Sequence, residues 1–322
     1  MQLFLSVLLL ISSSLLSQEL FVQEEEKNLY RSAVEYSFDE VLDNGSYTFL
    51  FEQINGMINI IGHAGSGTHL IIDNRVHAFS NKNAISILKN SQINVYHDKI
   101  EKVIRIKKMS ERYDHKIIGK IDLHLPFNTN LRGTIKNSDL TISKVRGTIA
   151  INTESTDSDL NNLNGNINIT TRGGNISATK LSGEMELSVV SGDINIFDCD
   201  ANSMLTMDNG NIFINGLKGN LLSNTTLGET LVSNYEGESS VFNINVGNLK
   251  INKSKSNINA TIDIGSVNIN NIQGATTIFT GKGEINLNNI IGDVNCNTNF
   301  GNVNGINPVS YTHLRAHETA VN

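Results

Sequence analysis

The stretch GNINITTRGGNISATKLSGEMELSVVSGDINI, Gly165 to Ile196, decides the fold. Its glycines Gly165, Gly174, Gly183 and Gly192 stand nine residues apart, and each opens a segment whose second and fourth following residues are mostly apolar. A period of two is that of a strand with one face buried. In GDINI, Ile194 and Ile196 share one side while Asp193 and Asn195 share the other. A turn follows each segment, and glycine tolerates the positive φ or close approach that such a corner demands. Five residues of strand and four of turn are too short for a helix, and no apolar recurrence at i, i+3, i+4 and i+7 supports one.

The same ruler runs from Ser138 to Gly301. Of its nineteen block openings fifteen are Gly, the exceptions being Ser138, Thr156, Ala201 and Ser256. One extra residue is expected near Val246, because Gly247 follows Gly237 by ten residues. A second signal doubles the period. The position two before alternate openings is apolar at Leu163, Leu181, Cys199, Leu217, Tyr235, Ile272 and Ile290, with Ser254 the exception. In between it is variable, at Arg172, Val190, Asp208, Thr226, Ile244, Asp263, Gly281 and Asn299.

A two-strand unit of this size buries too little to stand alone, whereas stacked units share one apolar core. The predicted fold is all-β, a single-stranded parallel β-solenoid (β-helix) with eighteen-residue coils of two nonapeptide blocks. An antiparallel meander would also alternate but would not repeat the same residue column in each unit. Ile167, Ile169, Ile194, Ile196, Ile212 and Ile214 are expected inward. Cys199 and Cys296 are also expected inward, but 97 residues apart they stand several coils from each other and are read as two free, buried thiols.

Four regions are expected. Residues 1–17, MQLFLSVLLLISSSLLS, read as a signal peptide cleaved after Ser17. Residues 18–137 hold irregular β coils and a cap, and 138–308 the regular solenoid. Residues 309–322 are read as an artefactual tail, because VSYTHLRAHET at Val309–Thr319 resembles the translation of a transposon adapter used in sequencing libraries. His313, His317 and Glu318 are accordingly not taken as a metal site. In the front region QEEEKNLYRSAVEYSFDEV, Gln23 to Val41, reads as a short helix or a charged lead-in. Segments such as GMINIIG, KVIRIKK and KIDLHLP read as early coils that cover the first edge of the array.

Net charge is −7, Trp is absent, and Gly (26) far outnumbers Pro (2). The charge argues against a nucleic-acid partner, and no run after the leader is long and apolar enough to span a membrane. The composition is one of many short turns.

INGMINIIGH at 54–63, LHLPFNTNL at 123–131 and VVSGDINI at 189–196 resemble the DUF4097 family, exported bacterial proteins described as "putative adhesins". The resemblance covers about Val41 to Gly305 and implies a β-solenoid, export and surface association. It supplies no catalytic residue. The chain departs from the family pattern in His124 before Leu125–Pro126 and in the four blocks that lack Gly.

No H-E-x-x-H, G-x-S-x-G or phosphate loop occurs, and Gly65-Ser66-Gly67 has no lysine after it. The histidines at 63, 69, 77, 97, 115 and 124 fall in the front half; His63, His69 and His77 lack the Cys or carboxylate that would complete a metal site. DCDAN at 198–202 opens like a calcium loop but lacks its Gly and terminal Glu. Catalytic residues, cofactors and metal ligands are therefore all expected to be absent.

The outward column beside alternate glycines runs Asp139, Asp157, Asn175, Asp193, Asn211, Glu229, Asn248, Ser266, Glu284, Asn302. A solvated face that avoids self-repulsion explains it, and hydrogen bonding along the stack is open to its asparagines. As a contact surface, Asp193, Asn211, Glu229 and Asn248 are the first choice. The reading is an exported structural or adhesive protein at the cell surface, in the periplasm or outside the cell, not an enzyme, with an envelope or surface protein or a glycan as partner. An envelope accessory protein that recognises another envelope or signalling protein is the alternative; a polysaccharide-processing β-helix enzyme is the third.

Overall fold

The computed structural model describes residues 21–110, 112, 116–309 and 312–316. Two compact units meet in sequence between Thr148 and Ile149.

In the second unit the coils are parallel and in step. Strand Asn164–Thr171 pairs with Ser182–Ser191 so that Gly165 faces Gly183 and Ile167 faces Met185. Ile176–Thr179 pairs with the start of Ile194–Asn209, Ile176 against Ile194. Each partner lies eighteen residues on, which is the expected β-solenoid and excludes the meander. The six isoleucines expected inward are all buried, at 0–1% exposure. Each contributes roughly 1.5–3 kcal/mol relative to an exposed side chain. The apolar column from Leu163 to Ile290 is likewise buried, Ser254 included. Cys199 and Cys296 are buried and free.

The glycines answer to crowding. A Cβ on Gly210, whose φ is 145°, would lie 1.6 Å from the carbonyl oxygen of Gly192 in the preceding coil. No side chain fits there. A third corner, which the glycine ruler does not mark, stands where the backbone turns left-handed once per coil. Asn162, Lys180, Asp198, Asn234, Lys253, Asn271 and Asn289 all have φ of 51–61°, and Gly216 takes the same place at 80°. Asn and Asp tolerate this region best, and a lysine there costs roughly 1–2 kcal/mol. The kink changes which parity faces inward, from Ile194 and Ile196 to Cys199 within one strand.

The extra residue is not near Val246. Lys218 pairs with Glu236, eighteen residues on, whereas Leu221 pairs with Ser240, nineteen on. The insertion therefore sits at Gly237–Ser239, where the register also shifts against the next coil. The Tyr235 hydroxyl spans the bulge, 2.8 Å from the Gly219 carbonyl and 2.9 Å from that of Ser239. This corrects Ile244, which the ruler placed in the variable column. It is buried, and Asn245 holds the outward place.

In the first unit strand Thr48–His63 turns left-handed at Gln53 and Gly56, and its two halves pair with different strands. Its first half lies between Val103–Lys107 and Asn130–Thr134, and its second between Lys120–Pro126 and Asp139–Ser143, all parallel. Antiparallel strands then close its edges, which departs from a run of early parallel coils. Thr68–His77 pairs with Ile117–Pro126, Leu29–Phe38 with Thr68–His77, and Gln23–Glu26 with Leu29–Phe38. The segment read as a helix or lead-in is thus a hairpin, with Tyr30, Ser32 and Phe38 buried at even positions. The single helix among the described residues is Asn81–Asn90, capped by the Ser80 side chain and buried through Ala84, Ile87 and Leu88.

The backbone of Thr312–Ala316 runs parallel to Val294–Thr298. The signal-peptide reading, His115 and His317–Glu318 lie outside the described residues, as do the side chains from Ile306 onward.

Candidate functional site

The column chosen from the sequence forms a hydrogen-bonded ladder. Asn175 Oδ1 accepts the N–H of Asp193 (2.9 Å), Asp193 Oδ1 that of Asn211 (2.7 Å), and Asn211 Oδ1 that of Glu229 (3.0 Å). Asn248 then donates through Nδ2 to Glu229 Oε1 at 3.1 Å and accepts the N–H of Ser266 at 2.9 Å. Except at Glu229, which takes the Asn248 side-chain amide instead, each side chain reaches the turn of the next coil and accepts a backbone N–H at the corner. The structure thus brings Asp193, Asn211, Glu229 and Asn248 together in one row. It also gives the Gly–Asn and Gly–Asp pairs a structural use, glycine for the close approach and the amide or carboxylate for the next coil's N–H. The opposite turn repeats the device, with Asn202 Oδ1 accepting the Asn220 N–H at 3.0 Å.

The ladder borders a surface that the sequence reading missed. On strand Ile212–Lys218, Ile212 and Ile214 point inward, so Phe213 and Asn215 lie on the outward face that Asn211 begins. The Phe213 column continues through Leu231, Lys250, Asn268 and Asn286, and the Asn215 column through Ser233, Asn252 and Asn270. Together they line a groove of about 530 Å³ that crosses the coils. Its upper end is apolar, formed by Phe213 and Leu231, and Phe197 beyond it supports Phe213 at 5.6 Å between ring centres. Its lower end is amide-rich: Asn304 donates to Asn286 Oδ1 (2.8 Å) and Asn286 to Asn268 Oδ1 (3.1 Å). Lys250 Nζ stands 3.8 Å from Glu229 Oε2 and links the groove to the ladder. The missed signal was the position three after each alternate glycine, readable from the same ruler as Phe213, Leu231, Lys250, Asn268 and Asn286.

His63, His69 and His77 do not converge, although His69 stands opposite His124 on the neighbouring antiparallel strand. His63 Nδ1 meets the Ala64 carbonyl at 3.0 Å, while His69 Nε2 pairs with the Glu35 carboxylate. His77 lies opposite Leu29 on the far end of the sheet. His97 is different in kind. Its side chain is 7% exposed and packs edge-on against Phe38, 5.3 Å between ring centres, and against Tyr47 at 5.7 Å. Neither ring nitrogen has a hydrogen-bond partner among the described residues, and Glu40 Oε1 is 3.8 Å from Nδ1. Burial pushes its pKa below the ordinary histidine value, against the opposing pull of Glu40. Asp198–Asn202 lies along a strand, where Asn202 Nδ2 bonds Glu184 Oε1 at 3.0 Å.

No family model and no curated protein matches the chain, so the DUF4097 likeness stays a resemblance. Solved structures do match. A "putative cell adhesion protein" from Clostridium sporogenes shares 10% identity over 85% of this chain and 98% of its own, with a TM-score of 0.24. A "putative adhesin" from Bacteroides fragilis shares 14% over 85% and 97%, with a TM-score of 0.27. A third, from Parabacteroides distasonis, shares 13% over 85% and 97%, with a TM-score of 0.30. At such identities and scores their names say nothing about what this chain binds.

Proposed function

We propose that this chain is an exported, non-catalytic protein with a structural or adhesive role at the cell surface, and that the outward face of its short strands is the contact surface. The observation that carries this reading is the contiguity of that face. The ladder from Asp193 to Asn248 and the groove beside it present one uninterrupted polar and apolar surface over several coils. Parallel stacking holds that surface rigid, and the ladder fixes its border, which suits binding without reorganisation. Among the described residues no helix is long and apolar enough to cross a membrane.

Attachment of the purified protein to whole cells and to envelope extract tests the reading, alongside incubation with a polysaccharide panel. Retention on cells without release of reducing ends or unsaturated products is the expected result. Turnover of any polymer, or no retention on either material, overturns it.

A further inference from the structure

We propose that the groove over Phe213, Leu231, Asn268, Asn270 and Asn286 binds an extended, neutral glycan chain lying along the coil stack. This rests on the surface-binding reading above and names the class of partner.

The direction of the groove is the first argument. It crosses coils instead of following one strand, so an occupant meets an equivalent position once per coil, about every 4.8 Å. A peptide in extended form advances about 3.3–3.4 Å per residue and falls out of step within a few coils. The ring-to-ring repeat of an extended glycan is close to the coil spacing and stays in step.

Charge is the second. Among the residues lining the groove only Lys250 is charged, and Glu229 stands beside it at 3.8 Å. A polyanion finds no basic track there, whereas an uncharged polymer loses nothing.

Functional-group chemistry is the third. A carboxamide both donates and accepts, as a sugar hydroxyl does. The relay from Asn304 through Asn286 to Asn268 commits one N–H of each donor to its neighbour, which fixes the amides in a common sense and pre-orients the remaining polar positions. Phe213 and Leu231, both half-buried, offer apolar surface for the C–H face of a sugar ring at the other end. No bond is made or broken.

Native-gel retardation by soluble neutral polysaccharides, followed by calorimetry with their oligosaccharides, tests the proposal. An acidic polysaccharide and an extended peptide serve as comparisons. Binding to at least one neutral polymer is expected, with affinity rising with chain length until the groove is filled. Phe213→Ser and Asn270→Ala should each weaken it by about tenfold or more, ~1.4 kcal/mol, with melting temperatures checked separately. Asn259→Ser, exposed on the other strand of its coil and away from both groove and ladder, should not. Neutral polymers that bind equally well to both groove variants overturn the site. Retention on whole cells that only the peptide or the acidic polymer blocks overturns the glycan class and leaves surface binding standing. No retention on cells overturns both.

Discussion

The backbone N–H of Asn211 donates to the carboxylate of Asp193, eighteen residues earlier and 2.7 Å away. The same carboxylate was selected from the sequence as a contact residue, so its two possible roles must be separated. Asp193→Ala removes an acceptor at a corner that water reaches and should cost about 1 kcal/mol. Asp193→Ser should cost less, because Ser266 Oγ already takes the N–H of Glu284 in the same column, at 3.4 Å. The double variant Asp193→Ser with Glu229→Ser is therefore expected to fold and, if the column is a contact, to weaken attachment to cells. Attachment equal to wild type would confine the column to its structural role.

Inward and outward faces differ sharply at one residue step. Ile194 is fully buried, and Ile194→Asp places an unpaired carboxylate in the core at a cost of roughly 3–5 kcal/mol. Asn195→Asp, on the half-exposed side of the same strand, should stay within about 0.5 kcal/mol. Denaturant melts of the two variants check this. Equal tolerance would mean that the assigned face is wrong.

How far the sequence is legible follows from what each signal marks. Period-two alternation and the recurrent glycine are local signatures of strand and close approach, and both carried the coil length and the inward residues correctly. The insertion was displaced because the ruler reads only glycines. Gly237 keeps phase, so a residue added just after it stays invisible until Gly247. The left-handed corner escaped because Asn, Lys and Asp share it, and no single residue type names the column. The helix at Asn81–Asn90 had a readable signal, Ser80 ahead of Ala84, Ile87 and Leu88, but it is one short segment among strands. The glutamates of Gln23–Glu26 suggested a helix, while the alternation that follows them recorded a hairpin. The ladder was legible as a column, and its hydrogen bonds as an option open to asparagine. The groove's column was readable three residues after alternate glycines, but its hollow was not, since it is shaped by side chains from several coils at once.

His97 gives the first unit a pH response. Burial lowers its folded-state pKa below the unfolded value, so folding favours the neutral ring. The stability this provides is present above the unfolded pKa, about 6.5, and declines as pH falls through it towards the folded value. Glu40 and Asp98 work against the depression and Lys99, 2.6 Å from Glu40, works with it. Melting temperature should fall as pH drops below about 6.5. In His97→Phe that part of the fall should vanish. An identical pH profile in the variant would remove His97 from the response.

The two cysteines should behave as inert thiols. Burial raises the pKa of both, that of Cys296 to about 12. The thiolate is the reactive form, so native protein at neutral pH should resist alkylation. Under denaturing, non-reducing conditions mass measurement should show both labelled. A disulfide between them would contradict the register of the coils.

The tail remains proposed as foreign to the fold. An open sheet edge offers unpaired N–H and C=O groups to any extended segment, so the pairing of Thr312–Ala316 with Val294–Thr298 is what a foreign strand would also adopt. A chain ending at Pro308 is expected to melt no lower than the full sequence. A clear drop would make that strand a native coil and restore His313 and His317 as candidates.

The bulge at Gly237–Ser239 shows how an error of length is contained. One surplus residue bends a single corner, and the pairing on either side of it carries on in step. Duplication of one eighteen-residue period would copy its own glycines, its own ladder oxygen and its own left-handed corner, and would join its neighbours through contacts already in use. Such a gene can lengthen or shorten its product by whole coils without new invention. Inheritance can then tune the reach of the face one increment at a time, while each increment arrives already compatible with the rest.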